Sequence, residues 1–134
     1  MDWTNLCDIR NQLTKDTKEN HGIVSSEWIN LKDQSIIQLI LETLANPDKK
    51  KILDVTLDKP RSVAEILDIC KIPQTSGYRK IKSLIKNNFL IPDEFYRADD
   101  GRRRRKYASV LENIKINIDR GKLSVQLKLA KRQP

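Results

Sequence analysis

The chain has 134 residues, of which 38% are hydrophobic and 33% charged, and it carries a formal net charge of +8. This length suits one compact domain, or a small domain with an appendage, rather than two full domains. No run of about 18 apolar residues is present for a bilayer crossing, and the first residues lack the basic and apolar regions of a secretion signal, so we expect a cytoplasmic protein.

The first predicted elements are a short N-terminal helix and a polar linker, which together form an extension over residues 1–34. An apolar side at helical spacing is formed by Trp3, Leu6, Cys7 and Leu13. A second helix is predicted from DQSIIQLILETLA, where apolar residues recur every three or four positions. Asn46-Pro47-Asp48 then predicts the start of a third helix, which ends before Pro60.

Residues 61–90 predict two more helices separated by a short turn. Ser62 and Glu65 have the spacing of a capping box, so we expect a helix to run from there to about Cys70. Pro73 prevents its continuation, and the polar residues QTS begin the next helix, over about 74–87. Gly77 is a poor helix residue, and its presence predicts close packing against the preceding helix.

The last of these helices divides into an apolar side and a polar side. Its apolar side is formed by Ile81, Leu84 and Ile85. Its outer side is formed by Gln74, Thr75, Ser76, Tyr78, Arg79, Lys82 and Lys86. No acidic residue occurs from Lys71 to Pro92. Such a face suits the major groove of DNA, where a carboxylate would be repelled by phosphates.

A β-hairpin with a basic limb is predicted next. Asp100-Gly101 is a hairpin turn signal, and Phe95 and Tyr96 lie in the segment before it. The limb after the turn carries Arg102, Arg103, Arg104, Arg105 and Lys106. Alone, this run would be interpreted as an exposed charge cluster or a localisation-like signal. Directly after a basic helix, it favours attachment to DNA phosphates or to the minor groove.

A second hairpin is predicted at the C-terminal end, over residues 110–134. Apolar and polar residues alternate on both sides of Arg120-Gly121. A turn there would pair Ile118 with Leu123, Ile116 with Val125 and Ile114 with Leu127. An isolated hairpin is marginally stable in water, so this apolar face must cover either the helices of its own chain or a second copy.

From residue 35 to residue 109 the chain resembles archaeal and bacterial winged-helix transcription regulators of the arsenic-repressor-like (ArsR-like) group. The resemblance rests on ANPDKKKILDVTL, SVAEILDICK, PQTSGYRKIKSLIKN and the DDG-tipped hairpin. It implies an α+β fold, in which a mainly helical winged helix-turn-helix domain is followed by the C-terminal hairpin. It also implies DNA contacts from the polar side of the 74–87 helix and from the arginines of the wing. Metal-sensing members carry a Cys-x-Cys pair where this chain has only Cys70, so thiolate metal sensing is in doubt.

The leading hypothesis is a sequence-specific regulator of transcription that binds double-stranded DNA as a homodimer. The alternative is a winged-helix module that uses the same surface for RNA or for a partner protein. The wing has few aromatic residues for stacking single-stranded bases, although Tyr78, Tyr96 and Tyr107 keep that function open. We do not expect an enzyme, because the sole histidine, His21, lies in the polar stretch and Asp99-Asp100 fits a turn better than a metal site. No metal and no cofactor are expected, whereas a small-molecule or metal effector stays open. Cys7 and Cys70 are expected as reduced thiols.

Overall fold

A computed structural model describes residues 28–97 and 100–130, which form an α+β fold of four helices and six strands. The α+β class expected from the sequence is confirmed. The helix predicted near Trp3 and the linker that follows lie outside the described residues. Among the helices of the described ranges, none combines the length and the apolar composition that a bilayer crossing needs.

The first half of the fold is mainly helical, and the second half consists of strands. The first half comprises β1 (Ile29–Leu31), α1 (Gln34–Ala45), α2 (Pro47–Val55), β2 (Arg61–Ser62), α3 (Val63–Cys70) and α4 (Gln74–Lys86). The second half comprises β3 (Leu90–Arg97), β4 (Arg103–Ser109), β5 (Leu111–Asp119) and β6 (Lys122–Leu129).

Side-chain caps begin three of the four helices, as the sequence predicts for two of them. Asp33 accepts from the Ser35 N–H at 2.9 Å, and Asn46 accepts from two N–H groups of the first turn of α2 at 3.1 Å. The capping box of α3 is complete: the Glu65 N–H donates to Ser62 Oγ, and the Ser62 N–H donates to Glu65 Oε1. This second bond stabilises the carboxylate and lowers the pKa of Glu65.

The strands form two three-stranded antiparallel sheets, in the orders β1-β6-β5 and β2-β4-β3. In the first sheet β5 and β6 pair in the predicted register, with Ile118 opposite Leu123 and Ile116 opposite Val125. Arg120 and Gly121 form the turn, with φ of 51° and 80°. Two consecutive left-handed residues are typical of the tight turns whose twist matches that of a hairpin.

One apolar core joins the helices to both sheets. Its fully buried side chains include Ile40, Ile52, Ile66, Ile81, Leu84, Phe89, Val110, Val125 and Leu127. Val110 connects the two sheets, because its N–H donates to the Phe89 carbonyl at 3.1 Å and its carbonyl accepts from the Ala130 N–H at 2.8 Å. The buried thiol of Cys70 belongs to the same core.

The apolar face of the β5–β6 hairpin is divided between the core and the surface. Val125 and Leu127 are buried in the core, whereas Ile116, Ile118 and Leu123 are 48%, 68% and 37% exposed. The inner part of this face therefore covers the helices of its own chain, which is one of the two possibilities left open by the sequence. The division at residues 34/35 and 109/110 stays a prediction, although residues from all three segments contribute to this core.

Candidate nucleic-acid interface

Helix α4 presents its predicted polar side to the surface. Ile81 and Leu84 are each 1% exposed, so the apolar side faces the core as expected. The exposed residues of the other side are Gln74, Thr75, Tyr78, Arg79, Lys82 and Lys86. Ser76 is half-buried, and its hydroxyl donates to the Pro73 carbonyl at 3.4 Å. All the residues predicted to contact DNA from this helix therefore lie on one accessible side or at its edge.

Contacts with α2 and α3 hold α4 in place. A Cβ atom at Gly77 would overlap Leu67 Cδ2 and would lie 3.2 Å from Ile72 Cγ2, so the predicted close packing is confirmed. Lys80 forms an ion pair with Asp48 at the start of α2. These contacts restrict rotation of α4, which matters because a rotated helix would turn its polar side away from the surface.

The hairpin formed by β3 and β4, which we call the basic hairpin (residues 90–109), carries cations on both faces. Arg105 lies opposite Phe95, and Arg104 lies opposite Tyr96. The guanidinium carbons of Arg103 and Arg105 lie 4.6 and 5.2 Å from the centre of the Phe95 ring. Because the ring is half-exposed, both guanidinium groups are held at the surface by a flat aromatic support.

The turn of the basic hairpin contains one carboxylate that offsets part of this charge. Asp100 accepts from the Arg102 N–H at 3.0 Å and from Arg104 Nη2 at 3.1 Å. These two bonds lower the pKa of Asp100, so the carboxylate is ionised at neutral pH. Gly101 has a φ of 81°, a left-handed conformation that the turn requires and that glycine adopts without strain because it has no Cβ. Arg104 is therefore paired with a carboxylate, whereas Arg103 and Arg105 contact the Phe95 ring.

An open groove separates α4 from the basic hairpin. It has a volume of about 740 Å³ and includes the start of α3 in its wall. The lining residues are Ser62, Val63, Ala64, Tyr78, Tyr96, Asp100, Arg104, Arg105 and Tyr107. Of the predicted site residues, the groove brings together Tyr78, Arg104 and Arg105. The others lie outside its lining, on α4 and along β4.

Several residues of this surface were not among the predicted contacts. Phe95 supports two guanidinium groups, Asp100 engages Arg104, and Tyr96 and Tyr107 line the groove. An aromatic residue on one side of a predicted hairpin turn, with an arginine run on the other side, is the sequence signal that points to Phe95. Nothing in the sequence indicates that the tyrosines line one groove, since they are distant from one another along the chain.

The exposed cations of this surface suit a polyanion. Within residues 28–97 and 100–130, no group of three or more His, Cys, Asp or Glu side chains is placed to hold a metal ion. The Cys70 thiol is buried, and its loss of solvent contact raises its pKa above the usual range. Searches against protein-family models, curated proteins and solved structures find no match to the chain.

Proposed function

We propose that this protein is a sequence-specific regulator of transcription that binds double-stranded DNA through a winged helix-turn-helix domain. In this proposal α3 and α4 are the two helices of the motif, and α4 is the recognition helix in the major groove. The basic hairpin is the wing, which contacts phosphates or the minor groove. A helix with a diameter of about 10–12 Å fits a major groove of about 12 Å.

One observation carries the proposal: Tyr78, on the acid-free polar side of α4, lines the same groove as Arg104 and Arg105 of the basic hairpin. A basic face that served only solubility would not need its cations grouped around one groove. A surface of interspersed positive and negative charges is just as soluble. The polar side of α4 also includes donors and acceptors that suit base edges, namely Gln74, Thr75 and Arg79. Cations on the hairpin then supply the sequence-independent attraction.

A homodimer is the proposed assembly, because one winged helix reads only a few base pairs. Strand β5 pairs with β6 along one edge, and the described residues place no strand on its other edge. If a second copy pairs antiparallel about Asn117, Lys115 lies opposite Asp119 and Ile116 lies opposite Ile118 of the partner. This register places a lysine of one copy beside an aspartate of the other, and it packs the exposed isoleucines of the two copies against each other. A two-fold dimer then predicts a palindromic site with half-sites about 10 base pairs apart, or a multiple of that spacing.

The test is selection of binding sites from random duplex DNA, with RNA and single-stranded DNA as competitors. We expect a palindrome that RNA does not displace. Arg79→Ala should weaken binding to the selected site by about 1–3 kcal/mol and weaken binding to random DNA much less. Lys59→Ala, which removes an exposed charge between α2 and β2, is the control and should leave both affinities unchanged.

Three outcomes contradict the proposal. Recovery of no common sequence, with equal weakening by Arg79→Ala on both DNAs, would assign α4 to backbone contacts. Displacement of the DNA by RNA would favour the alternative RNA-binding function. Absence of binding to any nucleic acid would leave the surface to a partner protein.

A further inference from the structure

All three tyrosines of the chain line the groove between α4 and the basic hairpin. Tyr78 comes from α4, Tyr96 from β3 and Tyr107 from β4. Tyr78 is 44% exposed, so its ring is accessible from the groove. Contact with phosphates requires hydrogen-bond donors and cations but no aromatic rings. The groove therefore contains more than attachment to a phosphate backbone needs.

Aromatic rings next to guanidinium groups are the chemistry that recognises unpaired nucleotides. A base whose partner is absent exposes both of its flat faces, and such a base stacks on tyrosine whatever its sequence. Lys106 Nζ lies 5.3 Å from the centre of the Tyr96 ring, so a cation covers one face of this ring. A base would stack on the opposite face. The groove volume of about 740 Å³ falls within the range of small-molecule sites.

The charged residues that line the groove are one ion pair and one further arginine. Arg104 and Asp100 are paired with each other, so their charges largely cancel. Arg105 has no acidic partner among the described residues and lines the same groove. Near the start of α3, Ser62 is uncharged and buried, and the next lining residues, Val63 and Ala64, are apolar. Arg105 is therefore the lining cation without an acidic partner, and its guanidinium lies over the Phe95 ring, on the face of the hairpin opposite Tyr96.

We propose that this groove binds one unpaired nucleotide at the edge of a duplex, with its base among the tyrosines. The inference rests on the proposed function, since α4 must hold the duplex beside the groove. It extends that function, because the preferred ligand becomes a duplex with a single-stranded extension rather than a blunt duplex.

The experiment compares a blunt duplex with the same duplex carrying a short single-stranded overhang, by fluorescence anisotropy at one salt concentration. We expect the overhang to increase affinity at least about fivefold, the lower limit for one stacked base. Placing 2-aminopurine in the overhang should give a loss of its fluorescence on binding, because stacking quenches it. Free mononucleotide and the isolated single strand, tested alone, should bind much more weakly than the overhang duplex.

Tyr96 provides the matched pair of variants. Tyr96→Ala removes the ring and should abolish the preference for the overhang and the quenching. Because Lys106 loses its ring contact as well, the affinity of the same variant for the blunt duplex is the reference for this preference. Tyr96→Phe keeps the ring without the hydroxyl and should retain both the preference and the quenching. Circular dichroism and thermal unfolding of the two variants establish that each one folds.

Three results would overturn the inference. Equal affinity of the parent for both duplexes would show that the groove takes no unpaired nucleotide, while the proposed function would stand. Equal weakening of both duplexes by Tyr96→Ala would assign the tyrosine to the duplex backbone. Loss of preference in Tyr96→Phe as well as in Tyr96→Ala would assign the effect to the hydroxyl rather than to stacking. Failure of any duplex to bind is a separate outcome that rejects the proposed function itself.

Discussion

Replacement of Arg103 and Arg105 by alanine should weaken binding to all duplex sequences and reduce its dependence on salt. Both guanidinium groups lie over the Phe95 ring, and neither has an acidic partner among the described residues. They are therefore held at the surface, where phosphates can reach them. Removing one phosphate contact should flatten the slope of log affinity against log salt by about 0.9, so the slope of the double variant should be shallower by about 1.8.

The size of the effect follows from the cations on the proposed interface. Seven of them lack an ion-pair partner in the described part of the chain: Arg79, Lys82, Lys86, Arg102, Arg103, Arg105 and Lys106. If all contact phosphates, the parent slope is about −6.3, and that of the double variant is about −4.5. Between 50 and 200 mM salt, the parent affinity would then fall about 6,000-fold and that of the variant about 500-fold.

Fluorescence anisotropy with a labelled duplex over this salt range measures both slopes. The control variant, Arg120→Asn with Lys122→Ala, removes the same charge from the turn of the other hairpin. Asparagine is chosen at position 120 because it tolerates the left-handed conformation found there. An unchanged slope in the Arg103 and Arg105 variant would refute phosphate contact by these arginines. Equal flattening in the control would mean that net charge, rather than location, determines the affinity.

Three further predictions concern packing, reactivity and assembly. Gly77→Ala should destabilise the fold, because overpacking costs about 1–3 kcal/mol against about 1 kcal/mol gained in helix propensity. In a Leu67→Ala background the same change should become neutral or stabilising in urea unfolding, whereas an unchanged cost would mean that Leu67 is not the obstacle. With Cys7 replaced by serine, Cys70 should react with a thiol reagent far more slowly in the folded than in the unfolded protein. Burial raises the pKa of Cys70 in the folded protein, so the stability attributable to this thiol should decline as pH rises above about 8.5. Rapid reaction of Cys70 with the thiol reagent in the native protein would contradict its burial. Ile118→Lys should convert a dimer to a monomer in sedimentation without loss of helicity, and a monomeric parent at tens of micromolar would reject the β5 interface.

Local signals in the sequence predicted most elements of the fold. The Ser62 and Glu65 spacing indicated the start of α3, and Asn46-Pro47 indicated the start of α2, because capping depends only on residues within one turn. The turn at Arg120-Gly121 likewise determined the register of β5 and β6, since a two-residue loop leaves one pairing that keeps the isoleucines on one face.

Long-range pairing was not predictable in the same way. Strand β1 has three residues and β2 has two, which are too few to show alternation, and their partners lie far along the chain. The exposure of the polar side of α4 was correctly predicted from its periodicity. The meeting of three tyrosines in one groove was not predicted, because it depends on how the helix and the hairpin pack. The pairing of Arg104 with Asp100 was not predicted either, because it depends on the geometry of the hairpin turn.

The pairing of β1 with β6 has a consequence for the order in which the chain can fold. Asn30 lies opposite Gln126, and their side chains share a hydrogen bond of 2.6 Å. On a ribosome adding about 5–20 residues per second, roughly 5–20 seconds separate the synthesis of these two residues. Throughout that interval Ile29 and Leu31 have no sheet to join, and the helices lack the cover of Val125 and Leu127. The nascent protein therefore exposes its unfinished core until the last strand is made, a period in which it is open to aggregation and to chaperone binding.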